Sequence, residues 1–532
     1  MRKLLSLVAA VVVLLGVVAS DALAQAPAQA PAPKVTINGL VDNVTSWTKN
    51  LSIVDLNAGR PGDSEWYART RVRPDITAEL GTTKFVLGLE IDHTWGQTGG
   101  TDTNVCLNSG ASACSTSGNF QRFGTTHGLD LNTDVQGVIE IKWAYTEFDV
   151  PWISGARLRL GAQPWAVTYK TSVLAGGDFP GAHFTWGITP GIRLNLTYAQ
   201  VEEESTGTRD GFGRGEDWAF IGSVEISPFK GLDIRPIYAY FKADGTTSGA
   251  ARQGRGGVSN AAAFFPSNAF QETRHTLGVD ARWKVGPFSL EPTVFYQFGE
   301  RDILVPAGFP NAGTKRSQDM SAWFVDVRGG WQAGPLLLEG AVIYTTGNKA
   351  TEDVRNPSTT VNFYQPISTD TSYYTGWAEV WALGIDYFNI LYAQAAGLNP
   401  GVAIGYDKYG LFRLGARASY ALTPAFTLRA AVNANWTAEK VDTDGAITAA
   451  AGITPSATSP GGNERYLGTE VNLGFTYRFA PGIAFDMVGS YMFAGDALGA
   501  AAATNSNTGV VSTTAKDPKD IQAITARVRY TF

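Results

Sequence analysis

Eight times along this chain a stretch of alternating polar and apolar residues runs into a tight turn, and a second such stretch leads back. "DWAFIGSVEI" meets "SPFKG" and returns as "LDIRPIYAYF"; "HTLGVDARWKV" meets "GP" and returns as "FSLEPTVFYQF". A period of two marks β-strands, whose successive side chains point to opposite faces. The Pro and Gly of the turns supply the φ values that hairpins need. Between hairpins lie longer polar stretches such as "TSGAARQGRGGVSNAAAFFPSN". Short turns thus alternate with long loops, the asymmetry of a transmembrane barrel with tight periplasmic turns and long extracellular loops. A first strand near "VTINGLVDNVTSW" and a last in "ITARVRYTF" complete the set. The expectation is an all-β, antiparallel up-and-down barrel of about 18 strands, with 16 or 20 as alternatives. Residues 373–400 bear on that count. Trp377, Val380, Trp381 and Ile385 share a helical face, with Gly397 and Pro400 to end it, which keeps 18 strands and puts a helix in a loop folded into the bore. Trp377, Trp381, Leu383, Ile385 and Tyr387 also alternate as a strand, which gives 20.

The two faces of the strands differ in kind. One carries Leu158 and Leu160, Val279 and Trp283, Leu414 and Tyr420, Leu473 and Phe475. The other carries Arg157 and Arg159, Arg193, Asp280, Arg282 and Lys284, Asp326 and Arg328, Arg413 and Arg417, and Arg478. Arg or Lys facing lipid at the midplane costs about 2–4 kcal/mol each, so the charged face belongs to an aqueous lumen. Closure removes the open edges that hydrocarbon cannot tolerate. Trp66, Trp95, Trp143, Tyr145, Tyr198, Tyr238, Tyr240, Tyr296, Tyr344, Trp436, Tyr477 and Tyr491 fall near strand ends on the apolar side, as girdle residues would.

The N-terminus reads as a secretory signal. Residues 1–24 combine Arg2 and Lys3, an apolar run from Leu4 to Ala19 and the small-residue site Ala22-Leu23-Ala24. Residues 25–34 form an Ala/Pro-rich lead-in, and 35–532 a single barrel domain. No later apolar run is long enough for a membrane-spanning helix. With 11% aromatic residues and only 17% charged ones, the chain is too apolar for disorder. Cys106 and Cys114 are the only cysteines, and a disulfide between them suits an oxidising compartment. The net charge of −6 points to no nucleic-acid partner.

The last strand alternates Ile524, Ala526, Val528, Tyr530 and Phe532 with Thr525, Arg527, Arg529 and Thr531. With the leader, the hairpins and the Val528-x-Tyr530-x-Phe532 ending, the chain resembles Gram-negative outer-membrane porins. That resemblance implies a place in the bacterial outer membrane, among its lipids. It also implies assembly by the outer-membrane machinery, which in that family reads a C-terminal aromatic strand. A homotrimer is one assembly such porins adopt.

A barrel of this size leaves an aqueous channel, whereas about 8 strands are filled by side chains. Passive diffusion of small hydrophilic solutes or ions is therefore the first expectation. Arg69, Arg71 and Arg73, spaced by two, form a ladder on one wall, with Arg157 and Arg159 and then Arg527 and Arg529 repeating it. Rings of arginine favour anions. Asp75, Glu79, Glu90, Asp92, Glu140, Asp280, Asp326 and Asp486 are expected to point inward too, which would pair charges and weaken that preference. A dedicated channel or exporter for an anionic solute or polysaccharide is the competing reading, followed by a barrel sheath for a redox partner or an outer-membrane enzyme. For enzymes the sequence offers four histidines, His93, His127, His183 and His275, without a Gly-x-Ser-x-Gly or His-Glu-x-x-His pattern. No catalytic residue, metal ligand or cofactor is assigned.

Overall fold

In the computed structural model the chain closes into an antiparallel barrel. It describes residues 33–50, 64–95, 137–170, 173–203, 216–244, 269–304, 311, 313–349, 358–367, 377–380, 409–441, 464–498 and 518–532. The leader, the Cys106–Cys114 pair, His127 and residues 381–400 lie outside them, as do the side chains of Asp92, His93 and Glu140.

The strands are β1 (Lys34–Lys49), β2 (Ser64–Leu80), β3 (Thr83–Thr94), β4 (Gly137–Asp149), β5 (Ala156–Ala166), β6 (Gly176–Thr189), β7 (Ile192–Glu203), β8 (Glu216–Phe229), β9 (Leu232–Asp244), β10 (Ala269–Val285), β11 (Phe288–Leu304), β12 (Lys315–Ala333), β13 (Leu336–Thr345), β14 (Thr360–Val361), β15 (Phe412–Thr423), β16 (Phe426–Val441), β17 (Glu464–Ala480), β18 (Ile483–Ala494) and β19 (Ile521–Thr531). Eighteen of these form the wall, each antiparallel to its neighbours, with β13 paired to β15. The two-residue β14 runs parallel to β12 at Asp319 and Met320, beyond the end of β13. The alternative counts of 16 and 20 are thereby set aside.

Closure joins β1 to β19 from Leu40↔Thr531 to Lys49↔Gln522. Gly39 and Phe532 exchange both backbone hydrogen bonds, at 2.9 and 3.1 Å. On the inner side Arg529 donates to Asp42 at 2.6 Å, and Ser46 bonds Thr525 at 3.0 Å. Phe532 therefore sits in the seam itself.

Two-residue turns join β2–β3, β6–β7, β8–β9, β10–β11, β12–β13, β15–β16 and β17–β18, while a six-residue turn joins β4–β5. The outer face of the wall is apolar. Leu473, Trp283, Val342, Leu428 and Tyr530 are exposed there, and Ile524, Val528 and Phe532 of the last strand join them. An aromatic belt runs across β7–β12 on the long-loop side, through Tyr198–Trp218, Trp218–Tyr240, Tyr240–His275, His275–Phe298 and Tyr296–Trp323. A second belt, with Phe426, Phe475, Phe485 and Tyr477, lies toward the short turns. On β11 Phe298 and Phe288 mark the two levels. Ten residues at ~3.4 Å each, tilted by ~40°, separate them by ~25 Å, which matches a hydrocarbon slab.

Candidate functional site

Inside the wall, on the long-loop side, one would expect polar residues facing water. Instead β8–β13 turn Ile221, Ile237, Ala239, Phe241, Phe295, Phe324 and Ile343 inward, all buried. They are covered by chain that folds into the lumen. The first covering segment is a strap, residues 167–170 with 173–175, which leaves β5 where its pairing to β6 ends at Ala166↔Gly176. Val167, Val173, Leu174 and Ala175 join the inner apolar cluster. The second comprises residues 358–367, whose Tyr364 ring packs on Phe324 at 4.9 Å. The two segments also hold each other: Tyr364 Oη donates to Val173 O at 2.6 Å, and Ile367 N–H to Leu174 O at 2.8 Å. Gln365 is tied to the wall by exchange with Gln297 at 2.7 and 2.8 Å and by Arg274 at 2.6 Å.

The polar half of the strap crosses to β9–β12. Tyr169 N–H donates to Asp280, and Lys170 Nζ donates to Glu291 O at 2.6 Å while standing 4.0 Å from both Asp280 and Asp326. Those two carboxylates are fully buried. Asp280 also accepts from Thr293, and Asp326 from Arg328 at 2.8 and 3.0 Å. Burial pulls the Lys170 ammonium below its ordinary pKa, with Asp326 and Asp280 opposing. The Tyr169 ring makes cation–π contacts with two guanidiniums, Arg235 at 4.2 Å and Arg282 at 4.3 Å. Burial pushes its phenol up to about 12, although Arg235 and Arg282 favour ionisation.

A second ring has the same arrangement. Trp377 has Arg417 at 4.4 Å and Arg328 at 5.9 Å from its ring. Its carbonyl accepts from Asn433 at 2.9 Å and Asn472 at 3.1 Å, and Glu470 accepts from the amides of Glu379 and Val380 at 2.6 and 2.9 Å. Gly415 leaves the room: a Cβ there would come within 2.7 Å of Asn433 Oδ1 and 3.3 Å of the indole. Residues 377–380 thus hang in the lumen against β15–β17, in neither helix nor strand. Beside Trp377 a recess of about 330 Å³ opens, lined by Glu339, Glu379, Arg417, Arg429 and Asn472 among others.

Each of these arginines is turned along the wall by a carboxylate: Arg235 by Glu225, Arg282 by Asp233 at 2.6 Å, Arg328 by Asp326, and Arg417 by Glu339 at 2.8 Å. The ladders read from the sequence are paired in the same way. Arg71, Arg73 and Lys142 converge on Glu90 at 2.8, 3.2 and 3.4 Å. Arg157 and Arg159 both reach Glu147 at 2.9 Å, Arg527 reaches Asp486 at 2.7 Å, and Arg529 meets Asp42. Arg69 and Arg413 are buried in the wall, and Arg413 donates to Asn435. Asp75 is half-buried, while Glu79 is exposed near the turn. Asp92 and Glu140 stand in register with Arg71 and Glu90. Among the described residues, Arg193, Arg429 and Arg478 are exposed arginines with no ion pair.

The structure corrects two of the expected girdle residues. Trp143 and Tyr145 face the lumen, Trp143 beneath Arg73 and Lys142, and Tyr145 beneath Arg159 at 4.8 Å. The cause is a bulge: Gly88 pairs with Trp143 but Leu89 with Ile141, so β4 carries one extra residue and its alternation inverts. Tyr169, Lys170, Arg235, Glu225, Glu339 and the Trp377 ring belong to the site without being marked by the sequence pattern. Tyr169 and Lys170 lie in a stretch whose alternation has already ended, so no period marks them.

No family model matches this chain, and no curated protein matches it in sequence. Solved structures do resemble it. OccK8 (OprE) of Pseudomonas aeruginosa aligns over 94% of this chain and 98% of its own, at 10% identity and a TM-score of 0.47. A BenF-like porin from Pseudomonas fluorescens aligns over 94% and 98%, at 11% and 0.44. The outer membrane protein OprD of Pseudomonas aeruginosa aligns over 94% of each chain, also at 11% and 0.44.

Proposed function

We propose that the barrel is a narrow, solute-selective passive channel of the outer membrane, with a preference for small anionic solutes. One observation carries this reading: two aromatic rings in the lumen, Tyr169 and Trp377, each within cation–π distance of two arginines. Rings of arginine attract anions, and guanidiniums whose forks are aimed by carboxylates lose little entropy on meeting a solute. The paired carboxylates temper the field, whereas Arg193, Arg429 and Arg478 leave an excess of positive charge along the wall. An unobstructed general pore fits less well, because the inward segments occupy part of the bore that eighteen strands would leave. Export of a bulky polysaccharide is disfavoured on the same ground. The exposed outward side chains of Val528, Tyr530 and Phe532 support recognition of the last strand by the assembly machinery.

Single-channel recording in a planar bilayer under a salt gradient tests the reading. The expected result is a small, stable conductance with a reversal potential on the anion side, shifted toward neutrality by Arg282→Gln with Arg417→Gln. A large conductance without ion preference, or a cation-side potential, would overturn it.

A further inference from the structure

Where the strap leaves β5, a second and smaller recess of about 90 Å³ is enclosed by β5–β9. Its lining includes Trp165, His183, Arg193, Thr197, Glu225 and Arg235. Three N–H groups of this lining are unused. The Trp165 indole Nε1 and the Arg235 Nε are buried without a hydrogen-bond acceptor among the described residues, and Arg193 has no ion pair there. Buried donors that go unmatched are costly and rare. Here two such donors come from β5 and β9, and the exposed Arg193 of β7 lines the same small space.

The surroundings hold these donors in place. Trp165 is stacked on His183 at 5.8 Å and packed on Phe179 at 5.4 Å. Arg235 is tethered at its other nitrogens, to Val167 O at 2.8 Å and to Glu225. His183 Nδ1 is engaged by Thr197 Oγ1 at 2.7 Å. Glu225 stands opposite Arg193 in register, yet its carboxylate is taken by Arg235. Two arginines against one carboxylate leave a net positive charge.

We infer that this recess is a binding site for a small tetrahedral oxyanion, of the phosphate or sulfate type. Size excludes most organic solutes, since pockets for drug-sized ligands run to about 300–1,000 Å³, while this space holds only a few water-sized groups. Geometry separates a tetrahedral anion from a carboxylate. A carboxylate offers two oxygens in one plane, whereas a phosphate presents acceptors in four directions, which suits donors arriving from β5, β7 and β9. Charge-assisted bonds to such an anion would engage all three unused N–H groups.

Isothermal titration of the folded, detergent-solubilised full chain with inorganic phosphate, sulfate and acetate at low ionic strength tests the site. Phosphate and sulfate are expected to bind, and acetate at least about tenfold more weakly. Trp165→Phe keeps the ring and removes only its N–H; it and Arg193→Gln are each expected to weaken phosphate about tenfold or more. Lys230→Gln, in the exposed β8–β9 turn, should change nothing. Heat-modifiable migration on a denaturing gel verifies folding, and Trp165→Phe carries the test if Arg193→Gln fails to fold. Acetate binding as tightly as phosphate, Trp165→Phe binding like the native chain, or no heat at millimolar phosphate would each overturn the inference. The outcome is separable from the channel reading. A barrel that conducts anions but ignores phosphate refutes only the site, and one that binds phosphate but prefers cations refutes only the anion preference.

Discussion

Replacing Lys170 with methionine keeps the length of the side chain and deletes its charge, which makes it a direct test of how the strap is held. The lysine is almost fully buried, 4.0 Å from two carboxylates with no exposed surface. Removing one member of such a buried ionic cluster costs about 3–5 kcal/mol, because the opposing charges stay behind. The polar end of the strap keeps the Val167–Arg235 and Tyr169–Asp280 hydrogen bonds, each worth about 1.5–3 kcal/mol with one partner charged, and the Tyr169 ring's contacts with Arg235 and Arg282, about 0.5–2 kcal/mol each. Loss and remainder are of the same order, so residues 167–170 should exchange between docked and lifted states. The other end behaves differently. Val173 and Leu174 are fully buried, each worth about 1.5–3 kcal/mol, and they stay anchored by Tyr364 and Ile367. The expected record in a planar bilayer is therefore a new, larger conductance level visited in flickers, not a permanently wide pore. Adding Asp280→Asn should restore quiet behaviour in part, with a coupling of about 1 kcal/mol or more. A folded Lys170→Met barrel with native conductance and native noise would refute the ionic latch.

Two further perturbations address neighbouring features. An ideal Cβ on Gly88 would sit 1.9 Å from the Trp143 indole, so Gly88→Ala is expected to displace that ring and lower stability by about 1–3 kcal/mol in urea unfolding; an unchanged midpoint would mean that Trp143 does not lie across Gly88. Tyr169 binds its proton more tightly docked than free, so the phenol's own contribution to docking is complete below pH 10 and is lost as pH rises from 10 through about 12; because Lys170 also titrates from a lowered pKa, the test is made on Lys170→Met, whose flicker should grow over that range and stay constant when Tyr169→Phe is added.

Alternation carried most of the wall. On β12 the buried and exposed positions alternate from Gln318 to Asp326, as a period of two requires, and the turn residues Gly286–Pro287 and Gly334–Pro335 fall between strands as expected. Alternation of the apolar residues alone could not convey a change of parity. The bulge on β4 moves Trp143 and Tyr145 from the lipid side to the lumen, and its trace is the shift of the charged positions from Glu140 and Lys142 to Glu147 and Asp149. Nor could it distinguish inner apolar from outer apolar. In "IRPIYAYF" Ile237, Ala239 and Phe241 are buried inside while Tyr238 and Tyr240 face out, and both sets look equally suited to lipid. An inner apolar patch needs a cover, and the cover comes from chain far away in sequence, as when Lys170 of the strap reaches Glu291 of β11, 121 positions on. The arginine ladders were visible by spacing, but their carboxylate partners follow from register, which strand identity alone does not specify.

The seam has a kinetic meaning as well as a geometric one. Every other wall pairing joins strands adjacent along the chain, but Asp42 and Arg529 are 487 positions apart. Closing so long a loop costs about 5–6 kcal/mol of chain entropy by the logarithmic rule, a term that the hairpins do not bear. Before it closes, the sheet has two raw edges, β1 and β19, and each exposed peptide group would be ruinous in hydrocarbon. Productive folding must therefore keep those two edges out of lipid until they meet, so the ten residue pairs from Leu40↔Thr531 to Lys49↔Gln522 set the moment at which the molecule can be released into the bilayer on its own.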